Sequence, residues 1–129
     1  MIVVDSSAVV DCVTQRLVDA LPDRLRSDDL HAPHLLDVEV TQALRNLLIR
    51  GERSVDRIAA ARDDAAEMSI TLYPHALLLG RAWQLRENLS VYDAVYVALA
   101  ELLPAPLVTC DARLAAATGH EAEIELFAP

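Results

Sequence analysis

The sequence predicts an α/β fold, a parallel β-sheet flanked by helices on both faces. Three observations carry that expectation. The runs Ile2-Val3-Val4 and Leu107-Val108-Thr109 are short and show no polar alternation, as strands buried on both faces do. Runs of this kind alternate with helical patterns along the chain, the signature of a sheet built from crossover units. Both runs end at an aspartate, Asp5 and Asp111, and the carboxyl ends of strands are where such sheets take ligands.

The elements follow in order. Met1–Val4 is the first strand and Ser7–Val13 the first helix. Leu17–Arg26 reads as a second helix, unsettled by Pro22. A brief strand near Leu30–Ala32 leads into Leu35–Arg50, the clearest helix. There Leu36, Val40, Ala43, Leu44, Leu47 and Leu48 share one arc, and Gly51 is the stop. Ser54 caps a helix over Val55–Met68, Ser69–Tyr73 is a strand, and Pro74 opens a helix over His75–Asn88. Ser90 caps Val91–Leu103, which Pro104 ends. Leu107–Thr109 is a strand, Ala112–Thr118 a short helix closed by Gly119, and Ile124–Phe127 the last strand. No linker, repeat or low-complexity stretch interrupts them, so residues 1–129 are read as one domain.

Composition narrows the function. A net charge of -9 argues against a general nucleic-acid binder, but residues 45–62 hold five Arg against two acids, a basic island on an acidic body. That island reads either as a phosphate-contacting surface or as an ordinary solvated face. The apolar start has no basic leader and meets Asp5 at once, so no secretory signal is expected, and no stretch approaches the roughly 18 apolar residues that span a bilayer. The chain is expected in the cytoplasm with Cys12 and Cys110 as reduced, buried thiols. It contains no lysine. Phosphatases and receiver domains that place an aspartate after the first strand also use a lysine, so both are set aside. Glycine-rich phosphate loops and a G-x-S-x-G elbow are missing too.

Four acids stand out: Asp5, Glu39, Asp93 and Asp111. Each has an ordinary reading. Asp5 and Asp111 can cap the helices that follow them, and Asp93 lies three residues after Ser90 in a capping-box position. Glu39 is mid-helix, where capping is not available, in a polar seam with Gln42, Asn46 and Arg50 that borders the apolar face, and reads either as an ordinary boundary glutamate or as a residue facing a cleft at the sheet edge. Asp93 interrupts a helix that is apolar nearly all round. A carboxylate buried there must be paired, protonated or metal-bound, and without lysine the partner is Arg or a metal. Were the four to converge, each pair at ~5 Å would repel by roughly 3 kcal/mol at an effective dielectric of ~20. A hard divalent cation, Mg²⁺ or Mn²⁺, is the natural counterion for such an oxygen-rich set.

The opening VVDSSAVV, the segment LLDVEVTQALR, the run SVYDAVYVALAELL and the ending PLVTCDARL together resemble the PIN-domain ribonucleases, and among them the VapC toxins of type II toxin–antitoxin pairs. The resemblance implies that Asp5, Glu39, Asp93 and Asp111 are the metal-binding, catalytic acids. It places Thr109 as the hydroxyl accompanying the last and Ser6 beside Asp5 in the same polar floor. Gln42 stands where many relatives place Asn, in a supporting contact. The implied activity is Mg²⁺- or Mn²⁺-dependent cleavage of structured RNA, tRNA or rRNA, leaving a 3′-hydroxyl and a 5′-phosphate, with the ion lowering the pKa of the attacking water and neutralising phosphate charge. Arg45, Arg50, Arg53 and Arg113 are candidate phosphate contacts. The implied partners are a cognate VapB-like antitoxin in a toxin–antitoxin hetero-oligomer and a second copy in a homodimer, with no membrane. A catalytically silent PIN-like binding module and a housekeeping RNA-processing nuclease are the alternatives.

The remaining motifs are read as structural. His31 and His34 flank Ala32-Pro33 in a loop rather than a zinc site, and His75 and His120 lie at the surface. Trp83, Tyr92 and Tyr96 are expected in core or dimer packing.

Overall fold

The structure, a computed structural model, describes residues 1–16 and 20–128. Five strands, β1 (Ile2–Val4), β2 (Leu30–Pro33), β3 (Ile70–Tyr73), β4 (Leu107–Thr109) and β5 (Ile124–Leu126), pair in the order β3-β2-β1-β4-β5, all parallel. The chain walks outward from β1 to β2 and β3, then crosses back to lay β4 on the free side of β1. The switch point therefore lies between the carboxyl ends of β1 and β4, where Asp5 and Asp111 follow their strands.

The helices form two groups with the sheet between them. α1 (Ser6–Val13), α3 (Leu35–Ile49) and α4 (Val55–Glu67) pack on one another, α1 touching β4 and α3 touching β2. α6 (Val91–Leu102) lies along β1, β2 and β4 with α5 (Leu79–Gln84) against it, and α7 (Ala112–Ala116) sits by β4 and β5. The unalternating strands are explained by this sandwich: Ile2, Val3, Val4, Leu107 and Val108 are all fully buried. So is the whole run Ala94–Ala100 of α6. Fully burying a Leu such as Leu36, Leu99 or Leu107 contributes about 1.5–3 kcal/mol each.

Local signals explain most boundaries. α1 starts at Ser6, one residue early, because Asp5 is its cap. Gly51 takes a left-handed φ of 70°, and the N–H groups of Gly51 and Glu52 return to the carbonyls of Leu48 and Leu47 to close α3. Of the helix expected over Leu17–Arg26, residues 17–19 lie outside the described residues. α2 spans Leu21–Arg26, with Pro22 in its first turn, where a missing N–H is tolerated.

The helix expected over His75–Asn88 is broken. A 3-10 turn over His75–Leu77 precedes α5, and the chain leaves the helix after Gln84. Its buried anchors are Leu78, Ala82 and Leu85, while the equally apolar Leu77, Leu79 and Trp83 face outward. Trp83 and Tyr92 are consequently surface residues, 63% and 65% exposed, and the Arg86 guanidinium stacks over Trp83 at 4.6 Å. Of the three aromatics expected in packing, Tyr96 alone is buried.

Three histidines also differ from expectation. His31 is inside β2, its Nδ1 2.8 Å from the Tyr73 hydroxyl, and His75 is half-buried with Nε2 accepting the Leu35 N–H that opens α3. His120 is half-buried too, bridging Ala117 O and Ala122 N. Cys12 and Cys110 are free and half-buried, and burial pushes both thiols up, Cys110 to about 12. Among the described residues no helix is long and apolar enough to cross a membrane.

Candidate functional site

Asp5 is the most constrained of the four acids. It is buried, and its Oδ1 accepts from the Ala8 N–H at 3.0 Å and the Ser7 hydroxyl at 2.7 Å, the first of these being the α1 cap. Its Oδ2 accepts from the Thr109 hydroxyl at 2.5 Å, across the β1–β4 pair. Thr109 Oγ1 in turn accepts the Asp111 N–H at 3.0 Å, so one buried hydroxyl joins the two aspartates at the switch point. Desolvation raises the Asp5 pKa to about 6. The donors Thr109, Ala8 and Ser7 pull the other way, and the Asp111 charge adds to the rise.

Asp111 caps α7, its Oδ1 accepting from Arg113 N at 2.9 Å and Leu114 N at 3.4 Å. Asp93 sits in the first turn of α6, where its N–H donates to Ser90 Oγ at 3.2 Å. Its pKa is raised first by burial and then by the Asp111 charge, with Ser90 and Arg113 opposing. Glu39 is half-buried on α3 and accepts a 2.6 Å hydrogen bond from the Tyr96 hydroxyl on α6. Burial and the Asp93 charge raise it, while Tyr96 and Ser6 lower it.

The caps at Asp5 and Asp111 are present, and the four acids are linked pairwise through their charges. Asp5 feels Asp111, Asp111 raises Asp93, and Asp93 raises Glu39, so four acids from separate segments share one field. The Asp5, Glu39 and Asp111 carboxylates are turned to their own donors, and among the described residues no three His, Cys, Asp or Glu side chains are drawn together tightly enough to hold a metal ion as they stand. The donor set is entirely oxygen, the kind hard divalent cations take.

The supporting residues rearrange in detail. Ser7, which sequence reasoning missed, is the serine that donates to Asp5, and its Oγ also accepts the Cys110 N–H at 2.9 Å. Ser6 lies instead beside Glu39 and Tyr96, favouring the ionised form of each. Tyr96 was the other omission, and its spacing from Asp93 was the available signal, since residues three apart share a helix face. Gln42 is exposed one turn beyond Glu39 and donates to Asn46 at 3.2 Å. Arg45 makes a long contact to the same Asn46. Arg113 is 89% exposed, 3.9 Å from Asp111. Arg50 and Arg53 line a groove of about 400 Å³ with Arg16, between α1 and α3.

A family model described as "PIN domain" matches residues 2–119. The chain belongs to the PIN-domain family. Within that family it is 45% identical over 127 residues to Ribonuclease VapC1 of Mycobacterium tuberculosis, covering 96% of each chain. It is 42% identical over 129 residues to Ribonuclease VapC12 of the same organism, covering 99% of this chain and 100% of the relative, which places this PIN domain in the VapC branch. The fold agrees with the crystal structure of PAE2754 from Pyrobaculum aerophilum, at a TM-score of 0.66, 24% identity and 95% and 81% coverage of the two chains. It also agrees with that of M. tuberculosis VapC20, described as a sarcin-ricin loop cleaving toxin, at a TM-score of 0.62, 16% identity and 90% and 94% coverage.

Proposed function

We propose that this PIN domain is a VapC-type endoribonuclease toxin that works with Mg²⁺ or Mn²⁺ in the cytoplasm and is neutralised by a cognate VapB-like antitoxin. The observation that carries the reading is the pair Asp5 and Asp111, joined through the Thr109 hydroxyl at the switch point, with Asp93 and Glu39 near enough that neighbouring charge adds to burial in raising Asp5, Asp93 and Glu39. Such a set fits a hard divalent cation, because binding one relieves the repulsion. When bound, the ion neutralises charge on the scissile phosphate and makes water a competent attacking group at neutral pH.

The chain's own residues do the positioning. Thr109 and Ser7 fix the Asp5 carboxylate with donors on both oxygens, Asp93 is delivered by the first turn of α6, and Asp111 is held by its cap. The substrate is a structured RNA, tRNA or rRNA, consistent with the ribonuclease names of the 42–45% identical relatives. Leu77, Leu79, Trp83 and Tyr92, exposed on α5 and around it, offer an apolar surface for the homodimer that would enter the toxin–antitoxin hetero-oligomer.

The purified chain is expected to cut such RNA in Mg²⁺ or Mn²⁺, to stop in EDTA, and to be silenced by the protein encoded beside it. Intact RNA in both metals would sink the reading. The arginines give a second expectation. Arg50, Arg53 and Arg16 share a groove, Arg113 lies 3.9 Å from Asp111, and Arg45 is exposed on α3 beside Asn46. Replacing Arg50 and Arg53 together by Gln should weaken RNA binding and flatten the slope of log K against log salt by about 0.7–0.9 for each phosphate that is no longer neutralised. Arg86→Gln, stacked on Trp83, should leave the slope unchanged. An unaltered slope in the double variant means that the groove does not carry phosphates.

A further inference from the structure

Among the four acids, Glu39 has the least local support. Asp5 and Asp111 cap helices, and Asp93 has Ser90 beside it, but Glu39 stands one turn inside α3 with no cap to make. Its donor comes from elsewhere. The Tyr96 hydroxyl reaches from α6 to Glu39 Oε1 at 2.6 Å, joining residues 57 apart in sequence.

Resting on the reading above, we propose that Tyr96 is a positioning residue of the metal site: its phenol aims Glu39 and leaves Oε2 free for the cation. Three features support this. Asp93 and Tyr96 lie three apart on one helix, so the element that delivers one acid also grips another. Tyr96 heads the fully buried side chains, 1% exposed, so its ring is locked by packing and its hydroxyl has little freedom to swing. Ser6, which follows Asp5, lies against both Tyr96 and Glu39, tying this pair to the β1 end of the site. Groups that orient a metal ligand through a hydrogen bond typically govern affinity by about 10–100-fold.

The competing explanation is that a buried phenol simply needs an acceptor. Tyr96→Phe separates the two, because it keeps the ring and removes only the hydroxyl. Mn²⁺ binding to the full chain without RNA is followed by loss of the free-ion paramagnetic signal, for wild type, Y96F, E39Q and the double variant. Thermal unfolding in EDTA accompanies each titration. Y96F is expected to bind Mn²⁺ about tenfold or more weakly. It should also lower kcat more than it raises KM for RNA. In the E39Q background the same change should add nothing, since its effect runs through Glu39. Wild-type Mn²⁺ affinity in Y96F, or an equal loss with and without Glu39, overturns the positioning role while leaving the nuclease reading intact. A wild-type chain that neither binds Mn²⁺ nor cuts RNA overturns both.

Discussion

Asp5→Asn is expected to lower RNA cleavage by about 10²–10³-fold or more while leaving the chain folded, and Asp93→Asn to do the same. At Asp5 the substitution changes charge and holds shape fixed. Asn retains an oxygen at Oδ1 to accept from the Ala8 N–H and the Ser7 hydroxyl, so the α1 cap survives. It loses the anionic oxygen that Thr109 now supports. The new amide would donate toward Thr109, whose oxygen also holds the Asp111 N–H, so the second aspartate is disturbed as well. Stability should move the other way. A carboxylate raised to about 6 by burial is ionised at neutral pH at a cost that a neutral amide does not carry. Lost activity with retained or raised metal-free stability marks a residue kept for chemistry rather than for folding. Single-turnover cleavage in Mn²⁺ with melting in EDTA measures both, and Asp37→Asn, an exposed first-turn acid of α3, is the control expected to change neither. Near-wild-type cutting by Asp5→Asn would remove Asp5 from the site.

Much of this arrangement was legible in the sequence because the signals are local. Unalternating strands, serine caps at Ser54 and Ser90, and aspartates at strand ends each depend on a few neighbouring residues, and those elements lie where expected. What was not legible depends on the residue at which a helix starts or on pairs far apart. That Ser7 rather than Ser6 turns toward Asp5 follows from the helix starting one residue early, which shifts each side chain by about 100°. That Tyr96 serves Glu39 rests on a hydrogen bond between residues 57 apart, which no local pattern encodes. The segment after Pro74 misled for a third reason. Its residues are apolar enough for a helix on more than one face, and tertiary packing buried only Leu78, Ala82 and Leu85 and kept the helix to Leu79–Gln84.

The same burial makes a pH dependence with a definite sign. Asp5 ionises near 3.8 when unfolded and near 6 in the fold. Between those values the folded chain binds more protons than the unfolded one, so metal-free stability falls as pH rises through the window and the loss is complete above it. A shift of this size corresponds to on the order of 2–3 kcal/mol. In a domain of this length that is roughly 10 °C in Tm. Glu39 and Asp93 are displaced in the same direction and add to the slope. Asp28 and Glu101, lowered by the N-terminus and by Arg81, work in the opposite direction, adding stability as pH rises past their unfolded values of 3.8 and 4.5, so their effect is nearly complete by pH 5. In EDTA the chain should therefore melt higher at pH 5 than at pH 7, and Asp5→Asn should flatten most of the difference. Mn²⁺ should reverse the trend, because a cation competes with protons for the same oxygens and stabilises by mass action more strongly as they ionise. A flat EDTA profile, or an unchanged slope in Asp5→Asn, would mean that burial does not hold Asp5 above its ordinary range.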